Sequence, residues 1–168
     1  INMNTNEVIA NIALESLGYQ KGQYDVIHPN DHVNKSQSTN DVYPTAIRLS
    51  TYCSLDALFT QMDKLITSFK EKAIEFRYVL KMGRTQLQDA VPMTLGQEFH
   101  AFATLLKEDV RLIKTTRELL LEINLGATAI GTGINTEERY ATLATGALSR
   151  ISNKHIQVAP DLIEATSD

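Results

Sequence analysis

Ser36-Gln37-Ser38-Thr39-Asn40-Asp41-Val42-Tyr43-Pro44 is a run of uncharged donors and acceptors that ends where a long apolar-striped segment begins. Pro44 lies a few residues into that segment. A proline loses no hydrogen bond in the first turn of a helix, where backbone N–H groups have no intrahelical partner. The helix is therefore expected to start between Asn40 and Pro44. Ser, Thr, Asn and Asp are the residues that cap helix starts. Ser38 to Asp41 supplies more of them than one cap needs. A helix N-terminus with spare donors also suits a carboxylate or a phosphate, so a cap and an anion site are both open readings of this stretch.

Downstream, Ile47, Leu55, Leu58, Met62, Leu65, Phe69, Ala73 and Phe76 step mainly by three and four. That spacing predicts one helix from about Val42 to Phe76, roughly 50 Å long, which points to bundle-like packing. Tyr78-Val79-Leu80 reads as a short strand, and Lys81 to Pro92, with Gly83, as a loop. Thr94 and Gln97 then stand at capping-box spacing ahead of a second long helix, expected to run to about Leu125 and to close at Gly126. Upstream, Asn4 to Leu17 carries a helical stripe ended by Gly18, and Tyr19 to Lys35 reads as loop. Gly126 to Asn135 is rich in Gly, Ala and Thr. It suits either close packing between helices or a ligand contact. Glu137 to Ile151 predicts a shorter helix, His155 to Val158 an extended segment, and Pro160 the first turn of a last helix. The sum is an all-α, long-helix bundle.

The 168 residues suffice for a domain with a real core. A net charge of -4, with no Lys/Arg cluster beside aromatic residues, argues against a nucleic-acid partner. No apolar run reaches the roughly 18 residues of a membrane span. Cys53 is the only cysteine, which excludes a disulfide framework and agrees with a reducing, cytoplasmic setting. His28 and His32 are four apart, but Pro29 breaks any helix between them, so no metal site is expected there. No Ser-His-Asp spacing and no acid/base pair of carboxylates stands out. What remains are polar loops: His28 to Pro44, Lys81 to Glu98, and the Gly/Thr stretch. Ser38, Thr39, Asn40, Thr85, Gln86 and Gln88 are neutral groups suited to a small polyanion.

Blocks in these loops resemble the fumarase/aspartase superfamily. They are Asn2-Met3-Asn4-Thr5-Asn6-Glu7-Val8-Ile9-Ala10, His28-Pro29-Asn30-Asp31-His32-Val33-Asn34-Lys35-Ser36-Gln37-Ser38-Thr39-Asn40-Asp41, Gly83-Arg84-Thr85-Gln86-Leu87-Gln88-Asp89-Ala90, and Gly131-Thr132-Gly133-Ile134-Asn135. Thr39, where fumarases carry Ser, and Gln86, where they carry His, side with the aspartase branch. His28-Pro29-Asn30-Asp31 leans the other way, having the form of the fumarases' second, non-catalytic anion site.

The resemblance implies a homotetramer that converts L-aspartate reversibly to fumarate and ammonia without a covalent cofactor, on a site shared between subunits. By analogy Ser38 and Thr39 hold the carboxylate that gains charge, Asn40 and Gln86 lie near the amino group, and Thr85 contacts the other carboxylate. His28, Asn30 and Asp31 are the second anion site. The superfamily's Gly-Ser-Ser loop, with its serine base, does not occur in this chain and is expected beyond Asp168, and its N-terminal domain is absent too. Residues 1–168 thus read as part of the central helical domain, a fragment expected to be inactive alone. The alternatives are fumarate hydratase and a non-catalytic helical oligomerisation module.

Overall fold

Asn2–Ser16 forms helix α1, and the striped segment after Ser38 forms a single helix, α2, Thr39–Glu75, in the computed structural model, which describes residues 1–167. Helix α2 starts one residue ahead of the expected range. Pro44 is therefore past the turn in which a proline is free of cost. Its missing N–H would have bonded the Asn40 carbonyl, four residues back. That carbonyl instead accepts Asn124 Nδ2 at 3.0 Å.

The chain divides into one unit of Ile1–Thr51 with Leu119 onward, and a second of Tyr52–Glu118. In the second, α2 packs against α3, Leu95–Arg117, which opens with the expected capping box between Thr94 and Gln97. Phe59 and Ile66 from α2 meet Ala103 and Val110 from α3, with Leu55, Met62, Phe69, Leu106 and Ile113 packed around them. The buried pairs are one heptad apart on each helix, as in a coiled-coil seam. Leu58 and Leu65, expected in the core, stand outside this seam at 44% and 45% exposure. Leu55, Met62 and Phe69 of the expected stripe do pack there, and only at these two positions does the core fall one residue later, on Phe59 and Ile66, which adjoin equally apolar neighbours.

Backbone contacts fix the start of α3: Leu95 N–H donates to Val79 O at 2.8 Å and Gly96 N–H to Phe76 O at 3.0 Å. A Cβ on Gly96 would lie 2.5 Å from the Ala73 carbonyl oxygen, so only glycine allows this approach. At the other end, the Arg117 guanidinium lies 3.9 Å from the centre of the Tyr52 ring, and donates to Tyr52 O and to Asp56 Oδ1, both at 2.7 Å. Asp56 holds that guanidinium firmly protonated.

Between α2 and α3 the expected loop is a β-hairpin. Strands β1, Leu80–Thr85, and β2, Gln88–Thr94, pair antiparallel from Leu80↔Thr94 to Thr85↔Gln88, with an irregularity at Gly83. The strand placed at Tyr78 thus begins at Leu80 and continues through the supposed loop. Helix α3 also ends earlier than expected. After Arg117 the chain tightens into a 3-10 turn, Glu118–Leu121, and an extended pair, β3, Glu122–Ile123.

In the first unit, β3 runs parallel to β4, Gln157–Val158, inside the expected extended segment. Helix α4, Tyr140–Ser152, starts later than Glu137 and ends on Asn153 in a left-handed cap, φ 52°. Helix α5, Leu162–Ser167, is capped by Asp161, whose Oδ1 accepts from Ile163 and Glu164 N–H. Pro160 therefore precedes the cap rather than occupying the first turn. A π-helical turn, Pro29–Val33, interrupts the upstream loop.

Candidate functional site

Helix α2 opens on a turn fastened from several directions. Asp41 has no exposed surface. Its Oδ1 accepts Ser38 N–H at 2.9 Å, and its Oδ2 accepts Gly126 N–H at 3.2 Å and Thr128 N–H at 3.0 Å. Burial pushes its carboxyl above the ordinary range, and the backbone N–H groups pull the other way. Ser38 Oγ accepts Asn40 N–H at 3.2 Å, so this serine does cap the helix. Thr39 Oγ1 accepts Asn2 Nδ2 at 3.3 Å. Asn2 and Asn6, both buried, also donate to Asn34 Oδ1, at 3.4 and 2.9 Å. A hydroxyl that accepts one bond keeps its own O–H for donation.

Asn40 is held at both ends. Its Nδ2 donates to Ala129 O at 2.8 Å, and its backbone carbonyl receives Asn124 Nδ2. With Nδ2 anchored, Oδ1 is the atom of this side chain that has acceptor capacity for an ammonium group. The Gly/Thr stretch thus meets the helix start, and its glycines serve close packing. A Cβ on Gly126 would fall 2.7 Å from Ala141 Cβ, and one on Gly131 2.4 Å from Ile163 Cα.

Thr85 and Gln86 belong to the other unit, at the hairpin end. Thr85 closes β1, and Gln86 and Leu87 form the two-residue turn with φ of 51° and 64°. Left-handed backbone at two successive residues with side chains costs on the order of 1 kcal/mol each, and such strain concentrates where a side chain must be presented in one direction. Arg84 Nε and Asp89 Oδ1, 3.1 Å apart, bracket the turn. Ser38, Thr39 and Asn40 therefore share one locus, and Thr85 and Gln86 share another.

His28, Asn30 and Asp31 lie together in a turn closed on itself. His28 Nδ1 accepts Asn30 N–H at 3.1 Å and Asp31 N–H at 3.2 Å. The same nitrogen lies 3.4 Å from Asp31 Oδ2. His28 N–H in turn donates to His32 Nδ1 at 2.8 Å. The backbone N–H groups of His28, Asn30 and Asp31 thus all donate to these two rings.

Sequence reasoning passed over Asp41, Asn124, Asn2, Asn6 and Asn34 as working residues. For Asn124 there was a signal: one amide among the apolar Leu120, Ile123 and Leu125.

The family model described as "Lyase" matches residues 1–168. Across its full length the chain is 61% identical to an aspartate ammonia-lyase of Escherichia coli K12, of which it spans 35%. It is 55% identical to one of Corynebacterium glutamicum, of which it spans 32%. The chain thus spans about a third of the length of these relatives. Among solved structures, a fumarate lyase:delta crystallin from Brucella melitensis bound to cobalt superimposes with a TM-score of 0.89 at 55% identity, over 98% of this chain and 36% of that one. A class II fumarase from Schistosoma mansoni superimposes with a TM-score of 0.78 at 35% identity, over 98% of this chain and 38% of that one.

Proposed function

Since the chain belongs to the lyase family whose model it matches end to end, we propose that it is a segment of an aspartate ammonia-lyase, which converts L-aspartate reversibly to fumarate and ammonia. The observation that carries this reading is the rigid Ser38–Asn40 turn, neutral donors fixed at the head of a long helix. The reaction removes a weakly acidic proton from the carbon beside the side-chain carboxylate, which places a second negative charge on that carboxylate. Donors already in position for that charge favour the transition state over the substrate. Ser38 and Thr39 supply them from hydroxyls at the positive end of α2. Asn40 Oδ1 and Gln86 accept from the ammonium group, and Thr85 binds the second carboxylate.

Exposed apolar stripes support the reading. Leu58 and Leu65 on α2, and Leu105 and Leu112 on α3, form heptad-spaced stripes 44–63% exposed. Further copies of the same helices would cover them, giving a homotetramer in which sites draw on loops of different subunits. The superfamily's Gly-Ser-Ser motif does not occur in residues 1–168, and this segment alone is expected not to turn over aspartate. No helix among the described residues is long and apolar enough to cross a membrane.

Fumarate hydration is the second reading. The resemblance of His28-Pro29-Asn30-Asp31 to the fumarases favours it, and Gln86 counts against it. The test is Thr39→Ala in the full-length protein. Loss of one preorganised donor should lower kcat for aspartate by about 10²-fold. Near-normal turnover would remove Thr39 from the role. Hydration of fumarate without deamination of aspartate would replace the reaction.

A further inference from the structure

Asn124 is 1% exposed, and its Nδ2 reaches Asn40 O at 3.0 Å and Thr166 Oγ1 at 3.1 Å. The orientation of this amide follows from its partners. A carbonyl can only accept, and the Thr166 hydroxyl already donates to Leu162 O at 2.7 Å, so both contacts require the NH₂ end. Asn124 Oδ1 is buried with no hydrogen-bond partner among the described residues. An unpaired buried acceptor destabilises a fold, so the side chain has to be accounted for by its two donors. One of them meets a carbonyl that is open only because Pro44 has no N–H. The other ties the same point to α5. Asn40 then has its backbone fixed by Asn124 and its side chain fixed by Ala129 O, both from the one 124–129 stretch.

We infer that Asn124 is a positioning residue for the substrate's amino group. It holds the Asn40 backbone through the carbonyl that Pro44 leaves open, and so aims Asn40 Oδ1. The inference rests on the proposed aspartate reaction and deepens it. It gives Asn124 no contact with substrate. Its effect is on how well the ammonium end is recognised, and the carboxylate-binding hydroxyls of Ser38 and Thr39 are untouched.

The test uses the full-length enzyme with Asn124→Ala, with Pro44→Ala, and with both. Losing the donor should raise KM for aspartate about tenfold, the equivalent of one neutral hydrogen bond. Inhibition by succinate, a dicarboxylate with no amino group, should be unchanged. Adding Pro44→Ala restores a backbone N–H four residues beyond Asn40, which can donate to the orphaned carbonyl and should recover most of the loss. A merely structural role for Asn124 would not give that rescue. Asn124→Asp keeps the shape and removes the donor, and serves where the alanine variant does not fold. The inference is overturned if KM for aspartate does not move, if aspartate and succinate weaken together, or if Pro44→Ala rescues nothing. A parent enzyme inactive on aspartate overturns the proposed function along with it. An active parent with an unaltered Asn124→Ala variant overturns this inference alone.

Discussion

The turn that opens α2 and the tip of the β1–β2 hairpin hold polar side chains by opposite means. At the turn, Ser38, Thr39, Asn40 and Asp41 each make at least one specific bond, several to residues more than eighty positions away. Their conformation is over-determined. At the tip, Gln86 and Leu87 sit in left-handed backbone, and Leu87 is 95% exposed. The fixation there comes from the strand ladder and one exposed ion pair, which contributes little in water. A group whose hydrogen-bonding direction must not drift is best placed in the first setting. A group that must reach outward from its own unit can tolerate the second.

The largest expected effect breaks the first half of that contrast. Asp41→Ala leaves three backbone N–H groups without their acceptor and should cost about 3 kcal/mol or more, read by urea unfolding. A loss below about 1 kcal/mol would mean that the turn is not held as described. Next is Gly96→Ala, which forces a methyl into the Ala73 and Arg77 backbone and should cost about 2 kcal/mol in the same assay, with the hairpin loosened in hydrogen exchange.

Leu87→Gly should act in the opposite direction. Relief of left-handed strain outweighs the added chain entropy, for a gain of about 0.5 kcal/mol. A destabilised Leu87→Gly variant would show that the exposed leucine has a contact of its own. The smallest effect is a trend with pH. The folded Asp41 carboxyl titrates above its ordinary 3.8. Its contribution is therefore fully present below pH 3.8 and is lost as pH rises through the folded value, where the folded chain keeps a proton that the unfolded chain has released. Replacing it by Asn should flatten that segment of the stability–pH curve.

Much of this contrast was written locally, and part of it was not. The Thr94–Gln97 box and the end of α1 at Gly18 follow from capping chemistry within a few residues, and the structure has both, while α2 starts one residue ahead of its expected range. The hairpin escaped because its turn residues are Gln86-Leu87, with neither the Asn nor the Gly that such turns favour, and because Gly83 and Pro92 read as loop. Helix α3 is shorter than its expected span because Leu120, Ile123 and Leu125 continue an apolar spacing that the backbone abandons after Arg117. Asp41 was visible as a capping residue. Its bonds to Gly126 and Thr128 were not, since nothing in either segment names the other.

A proline in the second turn of a helix removes one hydrogen atom, and here that vacancy is filled from 84 positions along the chain. Among relatives, positions 44 and 124 should therefore change in step. A chain that regains an ordinary amide at 44 no longer requires a donor at 124, and an isolated change at either site should be rare.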